Sequence, residues 1–335
     1  MSLDLPTIWA GLLALGIFIY VALDGFDLGI GIVFPMLDSE QDRGTAMNSV
    51  APVWDGNETW LVLGGGGLFA AFPLAYAIVM PALYAPFIIM LLALVFRGVA
   101  FEYRWRDPRH KPIWDVSFTF GSLVATFMQG IVLGTFVQGI EVQGRAYAGG
   151  WWDWLTPFTV MTGVALCCGY ALLGAGWLIL KTEGGLRLRA YALAKRFALA
   201  TLCFVAIVSI WTPFLSPEIF DRWFTVPNMY FVAPVPLLTA LATALIARGL
   251  YRRQDAVIYP ATIVLLGLGF IGLGVGLTPW IVPRAVTIHQ AAAPDESLLF
   301  MLVGALVMLP LILGYTGYSY WVFRGKLKNN GAGYH

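Results

Sequence analysis

Runs of roughly twenty apolar residues, broken by short polar segments, recur along the whole chain, and twenty such residues are what a helix needs to cross a bilayer. Read with that ruler, the sequence predicts nine spans near 7–35, 54–75, 78–101, 115–137, 157–180, 197–215, 230–248, 257–281 and 297–323. Pro73 and Pro81 mark a short turn between the second and third. The expected fold is an all-α polytopic membrane protein forming a single transmembrane domain over 1–335. Helices 1–4 fall within about 7–137 and helices 5–9 within about 157–323. The longest predicted outer loops, 138–156, 216–229 and 282–296, are rich in Trp, Pro and Gly and leave no room for a soluble domain. Trp151, Trp152, Trp154 and Trp223 fall where interfacial aromatic belts are expected.

Composition agrees. Of 335 residues, 59% are hydrophobic and 12% charged, about half the charged share of an average soluble domain. Mean hydropathy is +0.77. The segment MSLDLP carries no Lys or Arg and the run after it is too long for a signal-peptide core, so no cleaved leader is expected.

The net charge of +1 says little, but its placement sets an orientation. Alternate loops and the C-terminal tail hold Arg43; Arg104, Arg106, Arg109 and Lys111; Lys181, Arg187, Arg189, Lys195 and Arg196; Arg248, Arg252 and Arg253; and Arg324, Lys326 and Lys328. With Arg97 that is seventeen of the twenty basic residues; the other loops hold only Arg145, Arg222 and Arg284. Basic loops stay in the cytoplasm. The N-terminus is therefore expected outside and the C-terminus inside.

Ionisable residues inside spans are costly and point to function by default. Here they gather in the first four helices. Asp24 and Asp27 are three apart, hence on one helical face. Asp55 and Glu58 repeat that spacing in Trp54-Asp55-Gly56-Asn57-Glu58-Thr59-Trp60. Arg97 and Glu102 end the third helix and Asp115 begins the fourth. The predicted topology puts all of them in one cytoplasmic layer, with Asp24 and Asp27 roughly 25–30 Å along helix 1. Carboxylates joined by waters can pass protons. The plainer alternative is structural: Asp55 and Asp115 complement helix dipoles, and Arg97 neutralises one Asp.

Other motifs narrow the reading. Gly64 to Gly67 lie within an apolar helix with no following Lys or Ser/Thr, which fits close helix contact rather than a phosphate loop. Gly25 and Gly29 form a G-x-x-x-G of the same kind. The histidines, His110, His289 and His335, all fall outside the spans, so no haem pocket with its own axial ligands is expected, and no copper or zinc site. Cys167, Cys168 and Cys203 lie in apolar stretches and read as small core residues.

Four segments resemble a known family: Leu23-Asp24-Gly25-Phe26-Asp27-Leu28-Gly29, Asn48-Ser49-Val50-Ala51-Pro52-Val53-Trp54-Asp55-Gly56-Asn57-Glu58-Thr59-Trp60, Leu68-Phe69-Ala70-Ala71-Phe72-Pro73 and Phe96-Arg97-Gly98-Val99-Ala100-Phe101-Glu102. They are similar to those of subunit II of cytochrome bd-type quinol oxidase. The motif match spans about residues 8–120 and the remainder agrees in length, helix number and hydropathy. The short outer loops and the second motif resemble the cyanide-insensitive branch.

The resemblance implies two four-helix bundles plus one peripheral helix in a bacterial inner membrane. It implies a complex that oxidises ubiquinol, reduces dioxygen to water and builds a proton motive force. Two b-type haems and one d-type haem, with the quinol site, would belong to the partner, subunit I. A small single-helix accessory subunit, quinol and lipid are further implied partners, and nucleic acid is not. By the resemblance, Asp55 belongs to a cytoplasmic proton path flanked by Trp54 and Trp60; Asp24, Asp27 and Glu58, in the same layer, are expected to line or support that route. Asp27 and Arg97 are linked to a properly assembled haem d site. Glu102 stands where some relatives have Asp. The rival from another class is a secondary transporter or ion channel subunit with a cytoplasmic-side carboxylate site. It lacks midplane sites and a matching acidic pair in the second half.

Overall fold

The computed structural model describes residues 4–327; Lys328 and His335 lie outside the described residues, as does the side chain of Arg222. Fourteen α-helices and two small hairpins follow one another along it. They are α1 (Leu5–Val33), α2 (Glu40–Asn48), α3 (Trp54–Ala71), α4 (Pro73–Ala82), α5 (Tyr84–Arg106), α6 (Lys111–Gln138), α7 (Pro157–Lys181), α8 (Gly184–Trp211), α9 (Pro217–Phe224), α10 (Asn228–Val232), α11 (Pro234–Arg252), α12 (Asp255–Leu277), α13 (Ile288–Ala291) and α14 (Asp295–Val322). Strands β1 (Val142–Gln143) and β2 (Ala146–Tyr147) form an antiparallel hairpin after α6, and β3 (Trp280–Val282) and β4 (Val286–Thr287) another after α12.

Eight helices among the described residues are long and apolar enough to cross a membrane: α1, α5, α6, α7, α8, α11, α12 and α14. The sequence reading counts nine. The difference is α3, an 18-residue helix whose Asp, Asn and Glu near its start dilute its hydropathy.

Two predicted boundaries shift for identifiable reasons. The turn expected at Pro73 and Pro81 is itself the ten-residue α4. It starts after Phe72, held at φ −134° and ψ 64°, outside the α region that a residue before Pro avoids. Pro81 stays inside α4, which ends at Ala82 with Leu83 as its C-cap. The span expected at 197–215 begins at Gly184. Its first three turns bury Leu186, Ala190, Leu193 and Ala194 beneath a basic outer surface, so a helical apolar stripe hides within a polar segment.

Helix α7 is the most enclosed span. It packs on α1, α6, α8 and α12. Gly29 and Gly174 make the α1–α7 crossing possible: a Cβ on Gly29 would strike the Tyr170 carbonyl, and one on Gly174 would strike the Gly29 backbone. Close crossings through small residues are the usual way to pack helices in lipid. Further pairs are α1–α3, α1–α6, α5–α6, α8–α11 and α11–α12. Helix α14 touches the rest thinly and buries only Leu298.

The face at which α1 starts is capped by α4, α13 and both hairpins. Trp9 donates to the Leu298 carbonyl at 2.9 Å, and Ala293 N donates to Ala71 O at 2.9 Å. Of the loop tryptophans, Trp151 and Trp152 are exposed and Trp154 is buried. The opposite face, where α1 ends, carries α2, the α5–α6 and α7–α8 turns and the end of α14.

Candidate functional site

Three helices bring the predicted acids to one basic residue. Asp24 and Asp27 share a face of α1; Asn57 and Glu58 lie in the first turns of α3; Arg97 lies on α5. Helix α1 packs on α3 and α6, and α6 on α5. Gly121 of α6 lets α5 approach, since a Cβ there would sit 3.0 Å from the Arg97 nitrogen.

The Arg97 guanidinium lies 3.4 Å from Asp24 and 4.0 Å from Asp27, and it donates to Glu58 in the tightest contact of the three. The side chains of Arg97, Asp24 and Asp27 have no exposure and that of Glu58 is 24% exposed. Asn57 donates one amide hydrogen to Asp27 at 2.6 Å and the other to the Leu23 carbonyl at 3.3 Å. Its carbonyl oxygen accepts from the Tyr320 hydroxyl at 3.0 Å. Trp54 and Phe101 stack 4.7 Å apart, and the Arg97 guanidinium sits 5.9 and 5.5 Å from their rings. A cation against desolvated aromatic faces gains further stabilisation.

Three carboxyl groups thus face one guanidinium, and no other ion pair among the described residues reaches them. Both Asp24 oxygens and Asp27 Oδ1 accept no hydrogen bond from the described protein groups. Buried charge so incompletely paired is expensive, and ionisable groups held this way inside a span are candidates for function.

A second polar layer lies two turns further along the same face of α5. Arg104, also unexposed, contacts Asp115 at 2.5 Å and Glu40 at 2.9 Å. Lys111 adds a contact to Glu40 at 2.8 Å, and Arg43 lies 3.8 Å from Asp115. Burial pushes the Glu40 carboxyl upward, but Lys111 and Arg104 outweigh it and hold the group below the ordinary Glu range. Phe101 and Phe118, 5.1 Å apart, lie between the layers. Asp115, expected beside the acids, instead belongs to this layer; Arg97 and Arg104, seven residues apart on one helical face, are its signal in the sequence.

The other predicted residues separate. Asp55 is exposed at the start of α3, one turn from Glu58. Glu102 points outward, 60% exposed, and pairs with Arg106 at 3.2 Å rather than with the cluster. Trp60 is buried, without a partner for its indole nitrogen among the described residues. Of the glycine run, Gly64 and Gly67 face Ile17 and Leu13 of α1, while Gly65 and Gly66 face open space. A second buried chain also escaped the sequence: Tyr170 donates to Gln129 at 3.0 Å, and Gln129 donates to Tyr20 at 2.7 Å, one turn from Asp24.

The residues present do not fit a haem of this chain's own. His110 and His289 are largely exposed and hydrogen-bonded to Asp107 and Asp4. Met47 and Met90 are enclosed by apolar side chains. No group of three or more His, Cys, Asp or Glu arranged to hold a metal ion occurs among the described residues.

Comparison with known proteins settles the family. The family model for cytochrome bd terminal oxidase subunit II matches residues 5–323. Cytochrome bd ubiquinol oxidase subunit 2 of Bacillus subtilis (strain 168) is 30% identical over 346 residues, covering 97% of this chain and 98% of that protein. Cytochrome bd-I ubiquinol oxidase subunit 2 of Escherichia coli (strain K12) is 29% identical over 359 residues, covering 95% and 93%. A solved structure of bd oxidase from Geobacillus thermodenitrificans superposes with a TM-score of 0.80 at 18% identity, covering 96% of this chain and 99% of that one. The chain therefore belongs to the cytochrome bd terminal oxidase subunit II family, as an integral protein of the bacterial inner membrane.

Proposed function

We propose that this subunit carries protons from the cytoplasm towards oxygen-reducing haems held by its partner, subunit I. The observation that carries the reading is the cluster of Asp24, Asp27 and Glu58 around Arg97, with the exposed Asp55 one turn away. With every carboxyl ionised the group would bear a charge of −2, from three acids and one Arg. A low-dielectric site resists that, so the cluster retains protons it can exchange. Asp55 takes protons from water, Glu58 receives them, and Asp24 and Asp27 hold them beside Arg97. Arg97 and Asp27 also support the partner's haem d site, and Trp54 shields the guanidinium. Glu102 has no part in the cluster and its contribution is confined to the surface.

The complex is read as a ubiquinol:oxygen oxidoreductase with two haems b and one haem d in the partner, as the relatives' names and the motifs suggest. Quinol and lipid contact the assembly, and a small single-helix subunit completes it. Counting α3 gives nine spans, in two four-helix bundles with α14 peripheral. The basic loops keep the acid-bearing face in the cytoplasm and the N-terminus outside. Protons consumed from one side and released by quinol on the other build a proton motive force without a pump.

The test is Asp55→Asn in the assembled complex. Oxygen consumption should fall by about a hundredfold or more, the scale for a lost proton-transfer group, while the haem spectrum persists. Unchanged oxygen consumption would remove Asp55 from the path; loss of haem with loss of rate would make this chain a scaffold.

A further inference from the structure

Helix α14 is nearly free of the bundle, yet its inner end is fastened to the acidic cluster. Tyr320 donates to Asn57 Oδ1 at 3.0 Å, and Asn57 is 1% exposed. The phenol ring is held by an aromatic group: Phe26 stacks on Trp177 at 4.2 Å, and Tyr320 meets both edge-on at 6.4 and 6.1 Å.

Asn57 can serve Asp27 in only one of its two amide orientations. Its NH₂ group faces two acceptors, Asp27 Oδ2 and the Leu23 carbonyl, so its oxygen must face a donor. Tyr320 is that donor. Without the hydroxyl, the amide oxygen loses its partner, and a rotated amide would set Asn57 Oδ1 against the Leu23 carbonyl in every protonation state and against Asp27 Oδ2 whenever Asp27 is ionised.

We infer that Tyr320 is a positioning residue for the acidic cluster: its hydroxyl fixes the Asn57 carboxamide so that N–H faces Asp27, and it thereby couples the peripheral helix α14 to the site. The inference deepens the proton-supply reading and rests on it only for the rate measurement.

The test uses the assembled complex with Tyr320→Phe, Asn57→Ser and both together. Tyr320→Phe should slow oxygen consumption about fivefold, the worth of one buried hydrogen bond, at unchanged haem content. It should also shift the infrared band of the buried carboxyl groups. In the Asn57→Ser background, Tyr320→Phe should add nothing to either measurement. Effects that multiply, or a carboxyl band that does not move, overturn the inference. If Tyr320→Phe fails to assemble, Tyr320→His, which keeps a ring N–H donor, must restore assembly and the band; failure of both overturns it. The infrared result stands apart from proton supply: if Asp55→Asn leaves the rate untouched, that reading falls, while the band still reports on Tyr320.

Discussion

The Arg97 guanidinium and the Asp24 carboxylate lie 3.4 Å apart, neither with any exposure. Arg97 is also the shared partner of Asp27 and Glu58. Replacing it with Gln removes the one cation and leaves three acids facing each other. The cost should be about 3–5 kcal/mol. The expected outcome is loss of folded subunit and of assembled complex, read as membrane yield and haem content. Adding Asp24→Asn should recover part of both, because it lowers the charge left behind. No recovery would mean that Arg97 acts through its shape rather than its charge.

Glycine positions give opposite expectations within one protein. Gly174→Val drives a side chain into the Gly29 backbone of α1, and overpacking of this kind costs about 1–3 kcal/mol or more. Thermal unfolding of the purified complex should move down clearly. Gly65→Ala meets nothing within 4 Å and gains helix propensity, so the folded subunit should persist. A strongly destabilised Gly65→Ala would show that α3 is covered there by another chain.

The α2 helix depends on Glu40. Its carboxyl is held below the ordinary value of 4.5 by Lys111 and Arg104, against the upward push of burial. A depressed Glu stabilises the fold above its unfolded value and loses that contribution as pH falls through its folded value. Hydrogen-exchange protection in Glu40–Asn48, taken relative to the intrinsic rate at each pH, should therefore be high at neutral pH and fall as pH drops below about 4. Glu40→Gln should show the lower protection already at neutral pH, with little change in protection as pH falls.

Orientation is open to direct measurement. A reporter fused after residue 327, active only in the cytoplasm, should be active; a periplasmic reporter at the same place should be silent. The reverse pattern would invert the membrane face of Asp55 and remove the cytoplasmic proton source.

Much of the site can be read from the sequence because buried charge is rare. Asp24, Asp27 and Arg97 stand out in apolar runs, and their company follows from spacing and depth. Glu102 shows the limit. It is five residues from Arg97, about 140° around the helix, and so faces away. Tyr320 is 263 residues from Asn57 in the chain, and a Tyr near the end of an apolar helix looks like any interfacial aromatic. The early start of α8 is hidden because four basic residues, Arg187, Arg189, Lys195 and Arg196, decorate an apolar stripe. The glycine run divides between two environments, a distinction that requires knowing which face of α3 meets α1.

The depth of the acids also fixes how strongly membrane voltage acts on them. Asp24 lies 19 residues from the start of α1, or about 28 Å along it. With a 30 Å hydrocarbon layer centred on this 29-residue helix, a proton arriving from the face where α1 ends crosses about a quarter of the layer. At about 2.3 kcal/mol per charge per 100 mV, the field biases filling of Asp24 by only about 0.6 kcal/mol. On the proton-supply reading, 100 mV would change the occupancy ratio of Asp24 by only about threefold, where a site at the opposite face would feel the whole potential.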